Sequence, residues 1–252
     1  MEPVLEVKNL TKIFKRGGQE DLAAVKNVSF CLYPGEILGI VGESGSGKST
    51  AARMITRLIK ADSGRILLGQ EDITEVRGKR LRQIYQRIQM VFQSPAASFN
   101  PRRTLGDGIG EGLRNSGISR PEARRQVREL LLRCGLKEEF AGRYPHEVSG
   151  GQCQRAAIAR ALAMQPEILI CDEATSALDV TVQRQIVELL TQLRKEQKMA
   201  CLFICHDLAL VQNFCDRVLV MYEGEIVEEG TPDEVIMQPK TEYTRTLVEA
   251  VL

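Results

Sequence analysis

The segment whose residue types and spacing most clearly do chemistry is Gly42-Glu43-Ser44-Gly45-Ser46-Gly47-Lys48-Ser49-Thr50. It fits G-x-x-x-x-G-K-[ST], a pattern that cradles phosphates when it follows a strand and opens a helix. Gly42, Gly45 and Gly47 let backbone N–H groups close on phosphate oxygens with no Cβ in the way. The helix N-terminus adds partial positive charge. Lys48 can reach the β- and γ-phosphates, and Ser49 can offer its hydroxyl to Mg²⁺. Ser44 and Thr50 complete the expected phosphate-binding segment. An acidic partner should stand at the end of another buried strand, and Ile168-Leu169-Ile170-Cys171-Asp172-Glu173 supplies one. Asp172 can hold Mg²⁺ directly or through water. Glu173 can act as general base or orient an attacking water, a contribution typically worth about 10²–10⁴ in rate.

These residues need elements to hold them. Residues 36–42 form a short apolar run ending in glycine, which predicts a buried strand before the phosphate segment. A helix is expected from Lys48 to about Lys60, and a short strand over 65–69. Residues 4–14 and 22–32 are β-branched and partly alternating, so both read as strands, with a turn at Gly17-Gly18. Residues 77–135 are Arg-rich and read as helical or irregular. Within them, Ser119, Pro121 and Glu122 mark a helix start. Val127, Leu130, Leu131 and Cys134 then share one face, and Gly135 stops the helix. The last third alternates: helix 150–164, strand 168–172, helix 180–198, strand 200–205, helix 207–215. A hairpin over 217–230 follows, turning at Glu223-Gly224. Strands alternating with helices imply a parallel sheet covered on both faces.

Composition narrows the class. The 252 residues suit one domain, or one domain with an inserted lobe, and carry a formal net charge of +1. That charge gives no global pull toward nucleic acid or acidic lipid. The Arg residues of 77–133 read as a solvated helix face. No signal peptide is expected at the N-terminus, and apolar runs such as 37–41 and 200–205 are too short to span a bilayer. Seven cysteines without a CxxC pair argue against a disulfide framework and for the cytosol. Cys201 and Cys205 read as core thiols.

Val148-Ser149-Gly150-Gly151-Gln152 resembles the LSGGQ signature of ATP-binding-cassette (ABC) ATPases, with Val as the leading residue. Other motifs stand in the family's order. Phe14 resembles the aromatic that stacks on adenine, offering a flat apolar face. Gln93, in Met90-Val91-Phe92-Gln93, resembles the Q-loop glutamine, whose carbonyl can bind Mg²⁺ or water. Ser176-Ala177-Leu178-Asp179 resembles the D-loop, in which Asp179 links two sites across a dimer interface. His206 resembles the switch histidine, which bonds the γ-phosphate and holds Glu173 and the water. The resemblance runs from about residue 4 to the C-terminus. It implies an α/β P-loop NTPase fold of the ABC type: a mainly parallel core sheet, an N-terminal antiparallel β subdomain and an inserted helical subdomain. Residues 1–93 and 157–252 would form the RecA-like core, and 94–156 the helical insert, within a single ABC transporter domain. It also implies ATP and Mg²⁺ as cofactors. Ser149, Gly150, Gly151 and Gln152 would face the ATP of a second, head-to-tail subunit. The departures, Ala174, Cys153, Phe14 and Cys205 where Pro, a longer side chain, Tyr and Thr or Ser are usual, remove no charged or catalytic group.

Further stretches resemble peptide and nickel importer ATPases. They are Gln93-Ser94-Pro95-Ala96-Ala97-Ser98-Phe99-Asn100-Pro101-Arg102, Tyr144-Pro145-His146-Glu147, and Glu242-Tyr243-Thr244-Arg245. The early stop after that last motif resembles the shorter second ATPase of nickel, metallophore or dipeptide systems, with no room for a C-terminal regulatory domain. The expectation is an importer ATPase on the cytoplasmic face of the membrane. Its partners would be a second ABC ATPase (a paralogue rather than a copy), two permease subunits and, indirectly, an extracytoplasmic solute-binding protein, with no nucleic acid. An exporter ATPase or a soluble nucleic-acid-associated ABC ATPase is the alternative.

Overall fold

The computed structural model describes residues 2–15, 21–174 and 178–250. The expected turn at Gly17-Gly18 and the Ser176-Ala177 half of the D-loop segment lie outside the described residues.

The chain opens with two long antiparallel strands, β1 (Leu5–Phe14) and β2 (Leu22–Leu32). Next come β3 (Ile37–Val41), helix α1 (Lys48–Ile55), β4 (Ser63–Leu68) and the two-residue β5 (Glu71–Asp72). Helix α2 (Gly78–Arg87) runs straight into β6 (Ile88–Val91). A helical section follows with α3 (Leu105–Asn115), α4 (Arg120–Arg133) and α5 (Gly150–Leu162). The last third alternates β7 (Ile168–Asp172), α6 (Val180–Gln197), β8 (Ala200–Ile204), α7 (Leu208–Phe214), β9 (Arg217–Tyr222) and β10 (Glu225–Gly230). It ends in α8 (Pro232–Met237) and α9 (Glu242–Glu249).

Two sheets result. The antiparallel one has the order β2-β1-β4-β5; the other has the order β10-β9-β3-β8-β7-β6. In the second sheet every pairing from β9 to β6 is parallel, and β10 joins by the hairpin. The reason is visible in the strand sequences. β3, β7 and β8 are buried at every residue, as a strand covered on both faces must be. Alternate residues serve different cores. Ile37, Val41, Cys171, Cys201 and Phe203 pack toward α3–α7. Leu38, Ile40, Ile170, Leu202 and Ile204 pack toward α1, α2 and the antiparallel sheet. Each buried Ile, Leu, Val and Phe here contributes roughly 1.5–3 kcal/mol of transfer free energy, which anchors the strands. Because β6, β7, β8 and β3 run parallel, their C-terminal ends open on one edge, where ligands of such sheets bind.

Two expectations are corrected. Helix α1 stops at Ile55 instead of reaching Lys60. Arg57 turns left-handed at φ 60°, and the amides of Leu58 and Ile59 both return to the Arg53 carbonyl. The stretch from 77, expected to be helical or irregular, contains strand β6. Its four residues leave α2 without any Gly or Pro break, and parallel pairing to β7 extends them. Local pattern carries no signal for so short a strand.

Candidate functional site

The phosphate segment lies between β3 and α1. Gly42 has φ 145°, and a Cβ there would stand 2.1 Å from the Met221 carbonyl oxygen. Gly47 has φ 105°, and its Cβ would stand 2.2 Å from the Ala24 carbonyl. Glycine is required at both by conformation and by space. The β9–β10 turn braces the loop. The Gly224 amide donates to the Ser46 carbonyl at 3.0 Å, and the Lys26 amide of β2 donates to the Gly224 carbonyl at 2.7 Å.

Lys48 is only 4% exposed. Its ammonium donates to the Gly42 carbonyl at 2.8 Å, the Glu43 carbonyl at 2.6 Å and Ser46 Oγ at 3.2 Å. Burial lowers its pKa from the usual lysine value, while Glu173, Asp172 and Glu43 pull it back up. Ser49 Oγ donates to Asp172 Oδ1 at 2.7 Å, so the loop and the end of β7 are joined directly. Asp172 is 2% exposed. Burial raises its pKa, against the Ser49 bond and the positive charges of Arg53 and Lys48.

Glu173 is the next residue and leaves the strand with φ 49°, a left-handed conformation uncommon for a side-chain-bearing residue. Such strain persists where surrounding contacts enforce it, often at functional sites. Here the Glu173 amide donates to the Ile204 carbonyl of β8 at 3.0 Å. Its carboxylate accepts a hydrogen bond from Gln93 Nε2, just beyond β6. The register pairs Asp172 with Ile204, so exposed His206 follows at the same sheet edge. The structure thus brings Lys48, Ser49, Asp172, Glu173 and Gln93 together, with His206 beside them.

Other expected residues stand apart. Phe14 ends β1, is 39% exposed, and has Lys12 Nζ 5.4 Å from its ring centre. Ser149 caps α5: its Oγ accepts from the Gln152 amide at 3.3 Å, and the Gln152 side chain accepts from the Ser149 amide at 2.9 Å. Gly150 and Gly151 form the first turn of α5, one exposed and one half-buried. Asp179 caps α6, accepting from the Val182 amide at 3.0 Å. Among the described residues no hydrogen bond links Phe14, the α5 cap or Asp179 to the phosphate cluster.

Two positions escaped the sequence reading. Arg160, inside the alanine-rich α5, sits 4.5 Å over the Phe99 ring and bonds Ser98 Oγ at 3.0 Å. Gln154, 1% exposed, donates to the carbonyl of Phe92 at 3.5 Å. Both tie the signature helix to the segment that carries Gln93. The available signal was a charged and an amide residue embedded among the buried positions of α5.

The family model described as ABC transporter matches residues 25–176, more than half of the chain. The chain belongs to the ABC transporter family. It is similar to the oligopeptide transport ATP-binding protein OppF of Salmonella typhimurium, 47% identical over 258 residues, covering 98% of this chain and 77% of that one. OppF of Escherichia coli is 50% identical over 232 residues, covering 91% and 70%. The glutathione import ATP-binding protein GsiA of Salmonella typhi is 47% identical over 257 residues, which is 99% of this chain and 41% of that longer one. Among solved structures, the dimeric ATP-binding cassette MJ0796 in a post-hydrolysis state with ADP and Pi superposes with a TM-score of 0.85 at 33% identity, covering 90% and 98%. The cbiO1 subunit from Clostridium perfringens superposes with a TM-score of 0.80 at 31% identity, covering 94% and 92%. As an ABC ATPase, this chain has the fold the motifs implied, and it binds and hydrolyses ATP. No helix among the described residues is long and apolar enough to cross a membrane.

Proposed function

We propose that this chain is the ATP-hydrolysing subunit of a peptide importer, held on the cytoplasmic face of a membrane by two permease subunits. The observation that carries the chemistry is the junction of Lys48, Ser49, Asp172, Glu173 and Gln93 at one sheet edge. Lys48 and the amides of the 42–50 loop bind the β- and γ-phosphates, and Phe14 stacks on the adenine. Ser49 Oγ, Asp172 and the Gln93 carbonyl offer oxygen donors only, the set a hard divalent cation selects. Bound there, Mg²⁺ would neutralise charge on the phosphates as the bond breaks. Glu173 takes a proton from the attacking water or orients it, and His206 and Gln93 hold Glu173 and that water. Ser149, Gly150, Gly151, Gln152 and Asp179 face a second ABC subunit. Residues 94–156 act as the helical lobe that meets the permease, and 1–93 with 157–252 as the catalytic core. The division at 156/157 falls inside α5, so one continuous helix joins the two. The oligopeptide and glutathione relatives favour a peptide solute; nickel draws no support from them.

Glu173→Gln keeps the side chain's shape and removes its basicity. Phosphate release by the assembled transporter should fall about 10²–10⁴-fold while MgATP still binds. An unchanged turnover would refute the role of Glu173.

A further inference from the structure

We propose that Tyr243, in the C-terminal helix α9, is a positioning residue for the phosphate loop: it fixes the Gly42–Glu43 peptide that aims Lys48. This rests on the phosphate-loop reading above and assigns a role to the Glu242-Tyr243-Thr244-Arg245 motif, which that reading left without one.

The Gly42–Glu43 peptide unit is gripped from both sides. Its carbonyl accepts from Lys48 Nζ at 2.8 Å. Its N–H donates to the Tyr243 hydroxyl at 3.0 Å. A peptide flip there would turn the carbonyl away from Lys48 and point an N–H at the ammonium. Tyr243 opposes that flip by giving the N–H a partner on the far side. In a trans peptide the N–H lies opposite the carbonyl, so Tyr243 meets this unit on the side away from the Lys48 ammonium.

The tyrosine is itself built in. Its ring lies 4.1 Å from the Tyr222 ring, centre to centre. Tyr222 ends β9, and the turn immediately after it places Gly224 on Ser46. Helix α9 is seated by Glu228 of β10, a carboxylate 7% exposed. Glu228 accepts from the Lys240 amide at 3.0 Å and the Thr241 amide at 3.1 Å, so it holds the start of α9. Burial raises the Tyr243 phenol above the ordinary tyrosine value. The C-terminal segment therefore contacts the phosphate loop at a defined atom, some 200 residues downstream of it.

Tyr243→Phe keeps the ring and deletes the acceptor. In the full chain its Kd for MgATP, and its KM in the assembled transporter, should rise roughly two- to tenfold, the range a net hydrogen bond supports. kcat should change less than KM, because Glu173 and Gln93 are untouched. The Glu43 amide should exchange with D₂O faster, while the Ile40 and Val41 amides inside β3 keep their rates. Arg245→Ala, an exposed position of the same helix, should leave Kd and Glu43 exchange as in wild type. Wild-type Kd and KM in Tyr243→Phe would overturn the proposal. So would an equal rise in Arg245→Ala, which would mean that α9 acts only by its bulk. A wild-type chain that fails to bind MgATP would sink the proposed function instead; the Glu43 exchange rate would still decide whether Tyr243 holds the peptide.

Discussion

Asp172 is a carboxylate that burial disfavours and the proposed chemistry requires. Its folded pKa lies above the ordinary value of 3.8, chiefly because burial penalises the charge. The sign follows from that. A raised carboxyl pKa means the folded state binds the proton more tightly, so stability grows as pH falls through the raised value and is reduced above it. At neutral pH the charged side chain is therefore a net cost to the fold. Asp172→Asn keeps an oxygen for Ser49 Oγ and removes the buried charge. In the absence of nucleotide its unfolding free energy should match wild type or exceed it by up to about 2 kcal/mol. Hydrolysis should fall at least a hundredfold. Denaturant titration and phosphate release check the two halves, and a clear loss of stability would contradict the burial argument. At this scale the residue types and motifs singled out Lys48, Ser49, Asp172 and Glu173, and the structure brings these four together. The Gln93–Glu173 bond was not, because partners 80 residues apart meet only through strand pairing.

Helix α9 is short, and one buried carboxylate, Glu228, holds its first turn. Burial alone would raise the Glu228 pKa, but bonds from Thr244, Lys240 and Thr241 outweigh it and the net shift is downward. A lowered pKa gives stability that is complete above the unfolded value, 4.5, and is lost as pH falls through the folded value. Below pH 4.5 the α9 amides should therefore lose protection from hydrogen exchange before those of β3 and β8. Glu228→Gln should make that protection pH-independent in this range while lowering it at pH 7. Equal protection of α9 in wild type and variant at pH 7 would refute the seat. Elements with strong local signals were readable. The apolar runs of β3, β7 and β8 predicted buried strands within a residue of their ends, and Glu223-Gly224 predicted the hairpin. What failed was decided elsewhere: β6 owes its extension to β7, and α1 ends where Arg57 turns left-handed. The contact of α9 with the phosphate loop left no periodic trace, since one phenol does the work.

In the whole molecule the proposed site residues fall into two groups. Its phosphate cluster gathers at one sheet edge, while the Ser149 cap and Asp179 form no bond to that cluster among the described residues. The proposed function has the signature face a second cassette, and the dimeric MJ0796 cassette is a relative in which two come together. Two disabled forms of this chain test which partner it takes. On the proposed roles, Lys48→Ala loses the phosphate grip but keeps its signature, and Ser149→Arg keeps the grip and blocks the signature. Mixed in a homodimer, the intact halves would meet and restore hydrolysis to a substantial fraction of wild type. With a paralogous partner, each variant would pair with the paralogue and mixing would restore nothing, which is the expected result. The same assembly settles the solute. A strain lacking this chain should lose uptake of a labelled oligopeptide and keep uptake of labelled nickel, with wild type but not Glu173→Gln restoring the peptide. The relatives named for oligopeptide and glutathione transport set that direction. Loss of nickel uptake alone would move the chain to metal import, with the proposed hydrolytic site unchanged.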